Sequence, residues 1–434
     1  MLGARGDWTI VDGKDSGVTL PLPKRKGSSW QRILAVMFFA QMITLIGFAS
    51  IIPFLSLYVK SLGVRTPIGT DLLAGLAFSA QAVTMMLSSP IWGAVSDRKG
   101  RKLMVERSMF GGAVVVFLMA WVQSAEELVV LRAVQGMVTG TIGATNALVA
   151  ATAPRGKTGY AMGVMQVSMG LGIGLGPVMG GLVADAFGYR AAFYVTGVLL
   201  LISGVIVYYG FDEGFTPPAL ESRNRDSFWR QWQKILSLPG VTATYTIRFF
   251  HQSGVTLILP VLPLFVAELI DAHTHLNSFA GLVIGASSAA TTLFAIMLGK
   301  IGDRIGHRII LVISSLGCCV TFALQIFVTN EWQLLLLQIL SGMTIGGIIP
   351  GISALLAQYT PSGEEGVVYG LDNSVNSAAR ALGPMLGVSI SLWLGFRAVF
   401  ATVALFFLMN VLLALAALPR KSPIRRDKNY IVKF

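Results

Sequence analysis

Long apolar runs, separated by short gaps that hold most of the lysines and arginines, leave this chain few folds to choose from. A run of roughly 20 apolar residues spans the hydrocarbon core of a bilayer as a helix. Candidate spans cover 32–60, 72–94, 103–122, 126–149, 158–184 and 189–210, then 241–270, 278–300, 308–328, 332–357, 365–393 and 396–417. A polar connector with Pro217, Pro218 and mixed charges separates the two sets. The expected organisation is a tail at 1–31, a six-helix bundle at 32–210, the connector at 211–240, a second six-helix bundle at 241–418 and a tail at 419–434. The fold class is all-α and integral to a membrane, with twelve transmembrane helices in two bundles.

Composition supports this. Only 12% of the 434 residues are charged and 54% are hydrophobic, with a mean hydropathy of +0.70. A soluble protein of this length would need far more polar surface. The net charge of +12 would suit a nucleic-acid partner if the cations formed one face, but they lie in the tails and in alternate gaps. They gather at Lys24–Lys26, Arg98–Arg107, Arg155 and Lys157, the connector, Lys300–Arg308 and Arg420–Lys433. The other gaps carry Asp71, Glu126, Glu127, Glu268, Asp271 and Glu331 with few cations. By the positive-inside rule both termini and the connector are cytoplasmic, in a multi-pass protein of the cytoplasmic membrane, and nucleic acid is not a partner. The acidic stretch Ser362-Gly363-Glu364-Glu365 falls in a cytoplasmic gap, but acidic residues count little in this rule. The first apolar run is too long for a signal-peptide core and is read as a retained helix. Cys318 and Cys319 are adjacent and point to different helix faces, so they are read as small core residues rather than a disulfide or metal pair.

The two halves repeat one another. Gly93-Ala94-Val95-Ser96-Asp97-Arg98-Lys99-Gly100-Arg101-Lys102 returns 206 positions later, from Gly93 to Gly299, as Gly299-Lys300-Ile301-Gly302-Asp303-Arg304-Ile305-Gly306-His307-Arg308. Other stretches keep the same order: Ile52-Pro53 with Leu259-Pro260, Ala74-Gly75-Leu76 with Ala280-Gly281-Leu282, Gly136-Met137 with Gly342-Met343, Leu175-Gly176-Pro177 with Leu382-Gly383-Pro384, and Gly188-Tyr189-Arg190-Ala191 with Gly395-Phe396-Arg397-Ala398. Six spans per half is even, so the halves enter the membrane in the same sense, as parallel repeats about an axis along the membrane normal. A central cavity between the halves follows, open to one side at a time.

Three motifs carry chemistry. The basic turn packs two helices closely around glycines. The fifth span holds Gly172-Ile173-Gly174-Leu175-Gly176-Pro177-Val178-Met179-Gly180-Gly181, where a proline removes a helix hydrogen bond and small residues bring backbones together. The fourth holds Leu131-Arg132-Ala133-Val134-Gln135-Gly136, and a cation inside the membrane is costly and functional by default. On these motifs and the duplication, the chain resembles the major facilitator superfamily from about Arg32 to Leu418. Within it, the chain is similar to the twelve-helix drug/proton antiporters of the MdtG and PmrA type. The resemblance implies the major facilitator fold. It implies a conformational latch at Gly93, Asp97, Arg98, Gly100 and Arg101, with Asp303 and Arg304 in the second copy. It implies an antiporter motif at Gly172, Gly176, Pro177, Gly180 and Gly181, and links Arg132 to proton coupling.

No Gly-x-x-x-x-Gly-Lys-Ser/Thr loop is present, so the driving force is an ion gradient, most simply protons. The first span carries no acid, unlike that of some drug/proton exporters. The coupling candidates are Asp372, beside Asn373 and Asn376, and His251, three residues after Arg248, together with Arg132. Asp185 and Glu268 lie nearer the outer ends and are read as solvated. A cavity wall built as in the superfamily offers Gln41, Phe48, Gln81, Asn146, Gln166, Phe250, Gln252 and Asn376. A mostly apolar pocket with a few polar groups suits amphiphilic substrates. The reading is a secondary transporter, not an enzyme, that exports amphiphilic drug-like molecules in exchange for protons. It is expected to work as a monomer among lipids, with no cofactor, no metal and no catalytic residue. The alternatives are a specific carrier of one metabolite, such as a sugar or amino acid, and a lipid-handling or sensor protein of the same fold.

Overall fold

The computed structural model describes residues 28–67, 69–154, 157–213, 240–270, 275–359 and 365–418. Most of the connector, both tails and the acidic stretch 362–364 lie outside these residues. The first half contains α1 (Trp30–Ser50), α2 (Leu55–Leu62), α3 (Thr70–Lys99), α4 (Arg101–Met119), α5 (Ala125–Val138), α6 (Thr141–Thr152), α7 (Thr158–Phe187) and α8 (Tyr189–Gly210). The second contains α9 (Val241–Ile258), α10 (Leu262–Leu269), α11 (Leu276–Ile305), α12 (His307–Gln325), α13 (Glu331–Ile345), α14 (Ile348–Tyr359), α15 (Glu365–Leu394) and α16 (Phe396–Ala416). The two lists match element for element. α3 and α11 both have 30 residues, α4 and α12 both have 19, and α7 and α15 both have 30.

Nine spans among the described residues are long and apolar enough to cross a membrane, and the bent pair α9–α10 makes a tenth. α4 and α15 complete the pattern of two sets of six. α4 is less apolar because Arg101, Lys102, Glu106 and Arg107 occupy its first two turns, and α15 because Asp372, Asn373, Asn376 and Arg380 lie along it.

Four spans that read as single helices are broken, at equivalent places in each half. α1 gives way to α2 through a turn that contains Pro53, and α9 to α10 through one that contains Pro260, with a 43° bend. Proline withholds the N–H that would continue the helix. The breaks between α5 and α6 and between α13 and α14 fall at Gly140 and at Gly346-Gly347.

The basic turns are nearly as tight as turns can be. Gly100 ends α3 and starts α4 at φ 97°, and Gly306 does the same for α11 and α12 at φ 104°. Only glycine adopts this conformation without strain. These two glycines lie at the basic end of the bundle.

Within the first half α1 packs on α7, α3 on α5 and α4 on α8; within the second, α9 packs on α15, α12 on α16 and α11 on α13. The halves meet through α7 with α11 and α3 with α15. Each half has its own apolar core, led by Phe54 and Phe193 in the first and by Phe265, Phe322, Phe400 and Phe407 in the second. Lipid is as apolar as these side chains, so the bundle depends on close packing rather than on hydrophobic burial alone.

Candidate functional site

The halves touch from mid-membrane to the end away from the basic turns. There, a Cβ on Gly181 of α7 would strike the backbone of Asn277 on α11, and one on Gly281 of α11 would strike the carbonyl of Pro177. Gly75 of α3 lies against Pro384 and Val388 of α15. Asp185, at the end of α7, accepts hydrogen bonds from the backbone N–H of Asn277 (3.2 Å), its side-chain amide (2.7 Å) and the backbone N–H of Ser278 (2.7 Å). The sequence reading of Asp185 as a solvated residue is thereby corrected: it is half-buried and holds the two halves together. Its partners are mostly backbone groups, which leave no mark in a sequence. Glu268 is exposed, as expected.

Toward the basic end the halves part. Gly143 of α6, Gly159 and Gly163 of α7, and Gly370 of α15 have open space where a Cβ would stand. On α15, Gly370, Asn373, Ser374 and Arg380 are exposed. The exposed apolar residues Leu382, Leu386 and Trp393 (87%) lie on a different face, because each residue turns the helix by about 100°. An exposed polar face inside a membrane span lines water rather than lipid. The face of α15 that carries Asn373 and Arg380 therefore lines a cavity between the halves.

Beside that cavity, Arg248 of α9 donates from Nη2 to Oδ2 of Asp372 on α15 at 3.0 Å. Asp372 is only 8% exposed, and its Oδ1 has no partner among the described residues, nor does Arg248 Nε. The two helices are pressed together to allow this. Thr256 Oγ1 donates to the Ala379 carbonyl at 3.2 Å, Tyr245 donates to the Val368 carbonyl at 2.9 Å, and a Cβ on Gly387 would strike the Leu257 carbonyl. Asn376, one turn above Asp372, is half-buried, and its Oδ1 has no partner among the described residues.

The other candidates divide into those near the cavity and those inside a half. Gln166 is exposed on α7, and Gln81, Asn146 and Gln252 are half-buried. Three candidates pack within their own half. Gln41 is buried and donates to the Met165 carbonyl of α7 at 3.3 Å, Phe48 lies against Gly112 of α4, and Phe250 lies 5.2 Å from the Phe406 ring on α16. His251 is 1% exposed, edge-on to Phe407 at 6.0 Å, and its Nδ1 has no partner among the described residues. Arg132 is 6% exposed and bridges α5 to α3, donating from Nε to the Ala77 carbonyl (3.1 Å) and from Nη1 to Gln135 Oε1 (2.7 Å).

The glycines of the fifth-span motif are packing surfaces. A Cβ on Gly172 would stand 2.5 Å from Leu45 Cβ, one on Gly176 2.7 Å from Ala49 Cβ, and one on Gly180 would enter the backbone of Ser50. Thus Gly172, Gly176 and Gly180 hold α1, and Gly181 holds α11 across the halves. Pro177 sits inside α7, which continues through it.

Of the latch residues, Gly93, Asp97 and Arg98 lie outside those whose side chains are described. Arg101 and Lys102 donate their backbone N–H groups to the two carboxylate oxygens of Glu213, at 2.9 and 2.8 Å. Lys102 Nζ donates to the carbonyls of Tyr208 (2.9 Å) and Phe211 (2.5 Å). This basic turn is tied to the end of α8 by a carboxylate that the sequence reading had not connected to it. In the second copy Asp303 pairs with His307 at 3.1 Å, and Arg304 is exposed.

The sequence profile of the Major Facilitator Superfamily matches residues 37–269 and 244–431. The chain belongs to that superfamily. It is 33% identical over 397 residues to the multidrug resistance protein MdtG of Salmonella typhimurium, covering 91% of this chain and 97% of the relative, and the protein of the same name from Salmonella arizonae matches equally. Among solved structures, the inward-facing, unoccupied bacterial homologue of the human lysosomal transporter Spinster superposes with a TM-score of 0.73 at 11% identity, over 89% of this chain and 96% of that one. The nucleoside transporter NupG gives 0.73 at 13% identity, over 89% and 100%. The human organic anion transporter MFSD10 gives 0.65 at 20% identity, over 89% and 100%. At these identities the structures establish the fold. The chain is a multi-pass membrane transporter.

Proposed function

We propose that this protein exports amphiphilic drug-like molecules across the cytoplasmic membrane in exchange for protons, by alternating access, as a monomer with both termini cytoplasmic. The name of its relatives, multidrug resistance protein, supports the substrate class. On this orientation the basic end is cytoplasmic and the cavity opens inward, with Asp185 and Gly181 of α7 closing the outer side against α11.

The Arg248–Asp372 pair carries the coupling. Asp372 stands beside the cavity, two turns into α15, with one oxygen held by Arg248 and the other without a partner among the described residues. A proton reaching Oδ1 neutralises the carboxylate and releases Arg248 from a charge-assisted bond. α9 and α15 can then shift relative to each other, and the two ends of the transport cycle acquire different affinities for the proton. Arg132 is bonded to neutral groups and serves to hold α5 on α3.

Purified protein in liposomes tests this reading. With an inward-acidic pH gradient and a pH-sensitive dye inside, several unrelated amphiphiles should each collapse the gradient. Collapse by a single sugar or amino acid alone would replace multidrug export with a specific carrier. Substrate uptake with no proton movement would remove the exchange.

A further inference from the structure

Arg380 stands apart from the other intramembrane cations. Among the described residues, Arg107, Arg132, Arg248 and Arg380 lie about two turns or more inside their spans, with Glu106 and Asp372 as the acids at comparable depth. Arg107 stacks on the Trp92 ring at 3.6 Å, and Glu106 pairs with Lys102 at 3.6 Å. Arg132 is bonded to a carbonyl and an amide, and Arg248 to Asp372. Arg380 is exposed and makes no hydrogen bond or ion pair among the described residues. Asp372 cannot satisfy it. Eight residues along a helix is a rise of roughly 12 Å.

Its position is that of a ligand group rather than a lipid anchor. One turn beyond Arg380, Gly383 and Gly387 grip α9 at Thr256 and Leu257, while Pro384 and Val388 meet Gly75 of α3. The outer half of α15 is thus clamped between α9 and α3, and Arg380 lies on the clamped face just where those two helices separate. That is the closed inner tip of the cavity. Near this level Ser79 Oγ on α3, Ser253 Oγ on α9 and Asn376 Oδ1 on α15 itself are buried with no partner among the described residues. A lipid-facing arginine would lie with Leu382 and Leu386, and this one does not.

We infer that Arg380 is the head-group site for substrates that carry an anionic oxygen group, a carboxylate, phosphonate or sulfonate, with the apolar remainder of the molecule extending into the cavity. The guanidinium presents a planar fork of donors that matches two oxygens of such a group. A cavity whose formal charges sum to a cation at its tip favours anions and disfavours the lipophilic cations often tested as efflux substrates. This inference rests on the transport reading and narrows it to anionic amphiphiles.

The test uses three matched probes, 4-(1-pyrene)butyrate, its primary amide and the corresponding amine, in equilibrium binding to the full-length protein at pH 7 without a gradient. Wild-type protein should bind the carboxylate about tenfold or more tightly than the amide, a step of about 1.4 kcal/mol, and the amine most weakly. Arg380→Gln should weaken carboxylate binding by more than amide binding, so that the preference for the carboxylate disappears. Arg380→Lys should restore part of the preference. Equal binding of the three probes by wild-type protein, preference for the amine, or an undiminished carboxylate preference in Arg380→Gln would overturn the site. If Arg380→Gln does not fold, the wild-type comparison and Arg380→Lys decide between these outcomes. Because no gradient is present, carboxylate binding without gradient collapse in liposomes would keep the site and remove proton exchange, while the reverse would keep exchange and remove the site.

Discussion

Asp185 on α7 caps the first turn of α11 in the opposite half, taking both N–H groups of Asn277 and the N–H of Ser278 at 2.7–3.2 Å. The acceptor is a carboxylate at a helix N-terminus, where the orphan N–H groups and the helix dipole favour it. Because the partners belong to different halves, the bonds exist only while the end away from the basic turns is closed. Asp185→Ala should therefore destabilise that closed state by about 1.5–3 kcal/mol and shift the population toward opening there. Electron–electron distances between spin labels at Phe187 and Trp393, both exposed near that end, should gain a longer component. A distribution identical to that of the unaltered protein would remove Asp185 as a clasp.

The fifth-span motif makes a sharp contrast within one helix. Gly180 lies where any Cβ would enter the Ser50 backbone, while Gly163, seventeen residues earlier on α7, faces open space. Gly180→Ala should lower the unfolding temperature, with an overpacking cost of about 1–3 kcal/mol. Gly163→Ala should be neutral or stabilising, because alanine is the better helix former by about 1 kcal/mol. Thermal unfolding in detergent separates the two. Equal effects would mean that the motif matters for reasons other than contact with α1.

The architecture was readable because its signals are periodic and repeated. Apolar spacing located the spans, the offset from Gly93 to Gly299 located the duplication, and Gly100 and Gly306 located the tight turns. What escaped depends on helix rotation and on backbone partners. Gln41 and Phe48 are expected in the cavity wall as polar and aromatic residues of a span that lines it in the superfamily, but α1 is apolar nearly all round, so its sequence does not say which face meets α7 and α4 and which meets water. Pro53 breaks that span without changing its hydropathy. Asp185 and Glu213 bind backbone N–H groups, which every sequence carries. Asp372 stood out as an acid in a polar stretch, whereas its pairing with Arg248, 124 positions away, depends on how α9 and α15 pack.

Arg132 has the geometry of a brace. Its fork spans Ala77 O on α3 and Gln135 Oε1 on its own helix, and a lysine ammonium has no planar fork to do both. Arg132→Lys should lower thermal stability by about 1–3 kcal/mol while leaving the pH dependence of substrate-driven proton flux where it was. A displaced pH profile would return Arg132 to the coupling machinery.

Asp372 and Arg248 make the most discriminating pair of substitutions. Asp372→Asn keeps the size of the side chain and permanently mimics the neutral, protonated acid. Substrate binding should survive, since Asp372 is mostly buried rather than facing the open cavity. Uphill accumulation driven by a pH gradient should disappear, because the group that changes charge during the cycle no longer can. The cost in stability follows from what is left behind. Arg248 would stay buried with its charge unpaired, and removing one partner of a buried pair costs about 3–5 kcal/mol, whereas replacing both is closer to neutral. The double variant Asp372→Asn with Arg248→Gln should therefore regain most of the unfolding temperature lost by the single variant without regaining gradient-driven transport. Recovery of stability alone separates the structural role of the pair from its coupling role. Unchanged uphill transport by Asp372→Asn would show that the proton travels through another group, and His251, beside Phe407 and with no partner for its Nδ1 among the described residues, would be the next to substitute.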